Sequence, residues 1–334
     1  MLLSVVIPCY NVSTFIDHCL ISLIDDALIN KQEIICVNDG STDNTLDILM
    51  DWQKKYPNII KIINISHSGL AVTRNKGLEH ATGKWIFFCD ADDYITKGAL
   101  SEIIKFLSSS KYDDVQMVNF GMRHCRNYDI EHFSGVKNVD FDGSSKDFFL
   151  KYISWTVWVF LYRLDYLKRH SILFHEVLQS EDGIFNAELL LCSNFRVLVL
   201  DADVYRYVYR SDSLSRKFIK AEAPIYIQSI IKVYSAYHNL ICKNETLLND
   251  REMYFRTKWY IAKQLPALFS RLLHSDLSIS EYKRIREKLI ELGAIPFEVS
   301  MEWHEKLKEW LVFHPVFLRV LRAPILLYTK YKHL

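Results

Sequence analysis

Short apolar runs take turns along the chain with stretches whose apolar residues lie three and four apart. Residues 2–7 read as a strand. Ser13 or Thr14 can then cap a helix whose apolar face is Ile16, Leu20, Leu23 and Ile24. Residues 33–37 read as a second strand, and the helix after it carries Leu46, Leu49 and Met50 on one side. Strand-like runs at 59–65, 85–89 and 115–120 alternate with helical patterns at 69–80 and 99–107. This repetition predicts an α/β fold with a mostly parallel sheet flanked by helices. From about Gly121 to Asp142 the pattern weakens to strands and loops. A helix begins over 148–153, 157–162 is an apolar strand, and Ser180-Glu181-Asp182 opens a helix through Leu191. Residues 195–200 are a further strand, followed by an extended piece carrying Val204, Tyr205, Tyr207 and Tyr209. After about Pro224 the strands stop. Helical periodicity over 225–242, 253–273, 282–292 and 303–313 predicts a helical C-terminal region.

One strand differs from the others in the residues at its end. Trp85-Ile86-Phe87-Phe88-Cys89 is apolar throughout, as a strand buried on both faces should be, and it runs into Asp90-Ala91-Asp92-Asp93. Unpaired buried charge is costly, so packing does not explain this cluster. Open α/β sheets bind ligands beyond the carboxyl ends of their strands. The Asp-x-Asp spacing lets Asp90 and Asp92 reach one hard cation, and oxygen ligands suit Mg²⁺ or Mn²⁺. The plainer alternative is an acidic loop that caps the next helix.

Composition narrows the choice. The chain has 334 residues, half of them hydrophobic, and a net charge of +1, which gives no reason to expect nucleic acid. Seven scattered cysteines without a Cys-x-x-Cys pair argue for a reducing, cytoplasmic setting and against a disulfide framework or a zinc site. The first residues are too short a run, and too uncharged, for a signal peptide. No glycine precedes Gly40, so neither a dinucleotide-binding turn nor a P-loop is present after the first strand.

Four further positions invite a functional reading. Asp39 follows the second strand and can accept from a base or a ribose while Asp43 caps the next helix, or Asp39, Ser41 and Asp43 simply build the turn and cap that helix together. Arg74 offers a planar fork to a base edge or a phosphate, although a helical arginine is usually a surface residue. Gly77 reads as a packing glycine where helix meets sheet. In Glu181-Asp182 one carboxylate can act as a general base, or both acids can simply favour a helix N-terminus. That helix terminus should depress the pKa of such a base.

In order along the chain, Ser4-Val5-Val6-Ile7-Pro8-Cys9-Tyr10-Asn11, Val37-Asn38-Asp39-Gly40-Ser41-Thr42-Asp43, Gly69-Leu70-Ala71-Val72-Thr73-Arg74-Asn75-Lys76-Gly77, Phe88-Cys89-Asp90-Ala91-Asp92-Asp93 and Ser180-Glu181-Asp182-Gly183 resemble the motifs of family 2 glycosyltransferases. The resemblance covers about the first 215 residues and includes Tyr209-Arg210 near its end. It implies a GT-A fold and a bacterial surface-polysaccharide type of enzyme. It places Pro8, Tyr10, Asp39 and Arg74 around the nucleotide, Asp90 and Ala91 by the ribose and sugar-phosphate, Asp92 on the metal, and Asp182 as the catalytic base. The implied reaction is inverting transfer of a sugar from a nucleotide-sugar donor, a UDP-sugar, to a glycan or lipid-linked oligosaccharide acceptor. Trp158-Val159-Phe160-Leu161-Tyr162 departs from the Trp-Asn-Lys-Leu-Tyr of many relatives, which bears on the acceptor side. No Gln-x-x-Arg-Trp-type motif follows the base, so one addition is expected rather than polymerisation. The rivals are a sugar-phosphate nucleotidyltransferase, which should carry a glycine-rich first loop, and a binding module without catalysis, which need not have kept these acids.

These readings divide the chain into a nucleotide-sugar-binding and catalytic domain over 1–220 and a helical region over 221–334. The end of that region is apolar and aromatic, with Trp303, Trp310, Leu311, Phe313, Phe317, Leu318, Leu321, Ile325, Leu326 and Tyr328. After Glu309 its charged residues are Arg319, Arg322, Lys330 and Lys332. Such a segment can lie on the inner membrane face against anionic lipid, or pack on the domain or on another subunit of a homo-oligomer.

Overall fold

The computed structural model describes residues 1–152, 155–209, 223–244, 249–294, 306–307, 310–312 and 314. The chain divides into two compact units, one of residues 1–176 and 181–211, the other of residues 177–180 and 212–334.

The first unit is built on a nine-stranded sheet. In chain order its elements are β1 (Leu3–Cys9), α1 (Ile16–Leu23), β2 (Gln32–Asp39), α2 (Thr45–Lys55), β3 (Ile60–Ile65), α3 (Leu70–His80), β4 (Trp85–Phe88), β5 (Tyr94–Ile95), α4 (Ala99–Phe106), β6 (Val115–Cys125), β7 (Asn138–Ser144), α5 (Ser145–Lys151), β8 (Phe160–Arg163), α6 (Leu164–Arg169), α7 (Glu181–Cys192) and β9 (Arg196–Val208). The strand order is β3-β2-β1-β4-β8-β6-β9-β5, with β7 also on β9. From β3 to β4 the ladders are parallel. Beyond β4 the sheet is mixed: β8 is antiparallel to β4 and β6, β9 is parallel to β6, and β5 and β7 are antiparallel to β9. The α/β GT-A class expected from the sequence therefore stands, with its parallel part in the first half. β1, β2 and β4 are buried along their whole length, as strands covered by helices on both faces must be.

Local differences from the sequence reading have local causes. Neither Ser13 nor Thr14 caps α1, which starts at Ile16 without a side-chain cap, because the chain before it is tied to the next loop instead. Met50 is exposed, and Leu49 is the buried apolar residue of α2. The two pieces read at 195–200 and 204–209 are one strand, β9, which carries the sheet past the weakly patterned region. Gly77 behaves as expected: a Cβ there would meet Val6 Cγ1 at 2.2 Å. All seven cysteines are unpaired.

The second unit consists, among the described residues, of α8 (Ala223–Lys243), α9 (Arg251–Ala262), α10 (Leu265–His274) and α11 (Ile279–Glu291). Ile227, Ile230, Val233, Tyr234, Tyr237 and Ile241 form the buried face of α8. The helix read over 253–273 is two helices, since Pro266 starts a new first turn in α10. No described helix is long and apolar enough to cross a membrane. Trp310 is exposed, whereas Leu311 and Val312 are buried. Trp303, Phe313 and the tail beyond His314, with the remaining apolar and basic residues read there, lie outside the described residues.

Candidate active site

The carboxyl ends of β1, β2 and β4 lie side by side because these strands are parallel neighbours. Most of the sequence-identified residues sit at these strand ends or on the segments that leave them, whereas Arg74 comes from α3 and Asp182 from the start of α7. Pro8 is still in β1, paired with Val37, and Tyr10 just beyond it is exposed. The turn after Tyr10 is held by Asn11, whose φ of 52° is left-handed. Asn11 Oδ1 accepts from the Thr42 N–H at 2.8 Å. Asp43 ties the same two loops, accepting from the N–H groups of Ser13 at 3.1 Å and Thr45 at 3.0 Å. Partial burial opposes its charge, but the hydrogen bonds from Thr45 and Ser13 win and take the carboxyl down to about 2.

Asp39 is buried at the end of β2. Its oxygens accept from the N–H groups of Ser68 at 2.7 Å and Gly69 at 3.0 Å, and His67 Nδ1 lies 3.0 Å from Oδ2. Asp39 thus holds the turn that starts α3, a local duty of the kind the sequence assigned to Asp43. Each carboxylate oxygen has a second lone pair, so a base or ribose can still be a partner. The His67 ring stacks on Tyr10 with centroids 4.1 Å apart. Tyr10, His67 and Asp39 are therefore one connected group.

Arg74, one turn into α3, is not the surface residue that a helical arginine usually is. It is 1% exposed. Its Nη2 donates to Asp90 Oδ1 at 2.9 Å, and its Nη1 donates to Asp182 Oδ1 at 2.6 Å and to Glu181 Oε1 at 3.0 Å. Its ring-facing side lies over Phe174 at 5.3 Å. Nε has no hydrogen-bond partner among the described residues. Burial works against the guanidinium charge, but Asp182, Asp90 and Glu181 outweigh it and raise the pKa.

The same junction determines how Asp182 titrates. Burial pushes its carboxyl up; Arg74 pulls it down, and Glu181 and Asp90 push it up again, to about 7. The arginine holds its proton tightly while Asp182 also binds one, because three carboxylates share a single cation. The depressed value expected at a helix N-terminus is therefore overturned: like charge and desolvation exceed the dipole here. Asp182 Oδ2 accepts from the Val157 N–H at 3.1 Å, so Arg74 and Val157 together fix the carboxylate plane.

Beyond Arg74 the acid loop spans β4 to β5. Single carboxylate oxygens of Asp90, Asp92 and Asp93 lie within 4.8 Å of one another. Ala91 between them is buried. The Tyr128 hydroxyl donates to the Asp92 carbonyl at 2.9 Å. Asp93 is buried deepest. Desolvation, then Asp92 and Asp90, raise its carboxyl to about 8 against the hydrogen bonds from Val208 and Tyr205. Three convergent carboxylates are a donor set that fits a hard divalent cation such as Mg²⁺ or Mn²⁺.

The structure thus draws Arg74, Asp90 and Asp182 into direct contact, with Asp92 beside Asp90. It places Tyr10 and Asp39 at the other end of the first turn of α3. His67, Asp93 and Tyr205 escaped the sequence reading as site residues, and Glu181 entered it only as the other half of the candidate base pair. Asp93 and Glu181 had a signal, as the third acid of a run and half of a pair. His67 and Tyr205 had none, because their relation to the acids exists only in three dimensions.

Residues 4–151 match the model of glycosyl transferase family 2. Over these residues, less than half of the chain, it is similar to that family. It is 26% identical over 318 residues to the uncharacterized glycosyltransferase EpsJ of Bacillus subtilis, covering 92% of this chain and 89% of that one. A shorter stretch of 115 residues is 40% identical to poly(ribitol-phosphate) beta-glucosyltransferase of Bacillus spizizenii, covering 34% of this chain and 18% of the relative. The fold is that of S. aureus TarS in complex with UDP-GlcNAc, with a TM-score of 0.58 at 21% identity over 88% of this chain and 90% of that one. The family 2 motifs of the sequence and the fold of the first unit therefore agree.

Proposed function

We propose that the chain is a family 2 glycosyltransferase that moves one sugar, with inversion, from a UDP-sugar to a hydroxyl of a lipid-linked surface glycan. The observation that carries the reading is the Arg74 junction. One buried guanidinium joins the loop suited to a divalent cation with the carboxylate suited to take a proton. In this reading Pro8, Tyr10 and Asp39 hold the base and ribose, and Asp90 and Ala91 lie by the sugar-phosphate. Asp92, with Asp90, would hold Mn²⁺ or Mg²⁺. The bound cation would supply charge neutralisation to the departing diphosphate. Arg74 Nε, a buried donor lacking a partner among the described residues, offers a further contact for an incoming oxygen.

Asp182 accepts the proton of the acceptor hydroxyl. A carboxyl raised to about 7 is a far stronger base than an ordinary aspartate and still ionises near neutral pH. Arg74 and the Val157 N–H keep it in one orientation, so a hydroxyl arriving opposite the leaving group meets a fixed base. The glycan acceptor is supported by the similarity of 34% of this chain to a poly(ribitol-phosphate) beta-glucosyltransferase, and its lipid linkage by the apolar and basic residues of the tail sequence. In that reading the region 221–334 docks on membrane or acceptor.

Purified protein should release UDP slowly from a UDP-sugar when Mn²⁺ is present, and lose this activity on chelation. Release of pyrophosphate from a nucleoside triphosphate would replace the reading with a nucleotidyltransferase. No turnover with any sugar nucleotide would leave a binding module. Truncation after Glu309 should move protein from membrane to soluble fractions, and an unchanged distribution would end the docking role.

A further inference from the structure

The acid loop is supported by more than the two strands it joins. Tyr205 of β9 is fully buried, and its hydroxyl lies between two parts of the loop. It accepts from the Asp90 N–H at 3.3 Å and donates to Asp93 Oδ2 at 2.7 Å. The other Asp93 oxygen accepts from the Val208 N–H at 2.8 Å, further along the same strand. Asp92 sits between the two gripped positions.

The ring leaves the hydroxyl little choice of place. Trp158 stacks on it with centroids 4.5 Å apart and planes 22° from parallel, and Phe87 of β4 meets it edge-on at 6.4 Å. Residue 205 also pairs with Ile95 of β5, directly after the loop. One strand therefore fixes the loop's backbone at its exit, its first acid through an N–H, and its last acid through both oxygens.

The geometry points to Tyr205 as a positioning residue for the divalent cation: its hydroxyl keeps the Asp90–Asp93 loop in the conformation in which the Asp90 and Asp92 oxygens converge. This rests on the metal-dependent reading of the site. Carboxylates this close repel one another, and without a cation their convergence needs an outside constraint. Removing the hydroxyl takes a partner from a buried N–H and from a buried carboxylate at once. Groups that orient metal ligands from behind typically change metal affinity by about 10–100-fold when removed.

The test is Tyr205→Phe, which keeps the stacked ring. Mn²⁺ uptake is followed by electron paramagnetic resonance of the free ion in the presence of UDP. UDP binding in chelator and the melting temperature are measured alongside. The expected result is a Mn²⁺ dissociation constant about 10–100-fold weaker, with metal-free UDP binding unchanged. Wild-type Mn²⁺ affinity in Tyr205→Phe overturns the inference while leaving the metal-dependent reading intact. A wild-type protein that takes up no Mn²⁺ overturns both. Should Tyr205→Phe fail to fold, Trp158→Leu carries the test: it removes the ring stacked on Tyr205 and lets the hydroxyl leave the loop, so Mn²⁺ affinity should fall, and an unchanged affinity overturns the inference.

Discussion

The sheet of the first unit has a buried acid cluster at each end of its parallel strands, and the two differ in charge balance. At the amino ends, Glu33 of β2 is fully buried. It accepts from Ser4 Oγ at 2.6 Å, from the N–H and the hydroxyl of Thr82 at 2.7 Å each, and from Lys61 Nζ at 2.6 Å. Burial works to raise its carboxyl, but Lys61, Ser4 and Thr82 hold it below the ordinary value. One acid meets one cation and a full set of donors. At the carboxyl ends Arg74 is, among the described residues, the one cation facing Asp90, Glu181 and Asp182, with Asp92 and Asp93 close behind. Glu33 is at least as deeply buried as the acids at the carboxyl ends, where Asp90 and Asp92 are partly exposed, so depth of burial does not mark an acid as functional. The surplus of acids over cations does differ, and it adds to burial in raising the carboxyls of Asp182 and Asp93.

The comparison breaks most sharply if the base is altered. Asp182→Asn should lower single-turnover transfer by at least about 10²-fold while UDP-sugar binding persists. Its melting temperature should stay the same or rise, because a costly buried charge is gone. A variant that keeps near-wild-type transfer would remove Asp182 from the role of base. At the other end, Glu33→Gln should cost about 1–3 kcal/mol in denaturant unfolding and leave turnover unchanged, since the donors around it lose a charged acceptor. If turnover fell and stability held, the two ends would not differ in kind.

A pH series sharpens the contrast without mutation. Transfer should rise as pH rises towards about 7, following ionisation of Asp182. The sign for stability is opposite. Because this folded carboxyl binds its proton more tightly than an ordinary aspartate at 3.8, its ionisation opposes folding, and the cost grows as pH climbs from there to about 7. Glu33 behaves in reverse: its contribution is full above the ordinary 4.5 and is lost as pH falls through the lowered folded value. Melting temperatures of wild type and Asp182→Asn across this range should converge at low pH. Parallel curves would sink the assignment. The smallest effect belongs to Lys61→Met, under about 1 kcal/mol in denaturant unfolding, because the lysine is half exposed and its pair with Glu33 is screened. A larger loss would show that the amino-end cluster depends on that cation after all.

Much of this was legible in the order of residues. Strands buried on both faces carry central apolar runs, so β1, β2 and β4 and the acids at their ends could be read directly. Helical spacing identified the core face of α1 and the helical nature of the second unit. The parts that stayed hidden were antiparallel and distant. β5 is too short for a pattern, and the pairing of β8 between β4 and β6 depends on long returns of chain that no local period reports. In the site, the sequence offered Arg74 to a nucleotide or to the surface and not to buried acids, because its partners Glu181 and Asp182 lie 107 and 108 positions away. Asp39 read as a ligand residue or as part of its own turn, and not as the holder of the α3 turn, because the N–H groups it holds come from another loop.

By itself the sequence determined which residue types stand at the strand ends and which stretches bury their faces, because both depend on short-range periodicity and local cost. Tertiary structure alone decided which acids share a cation, because that depends on loop ends brought together by strand order. It therefore also decided the protonation of Asp182: a carboxyl's charge state is set by its neighbours in space, and helix position predicted the wrong direction.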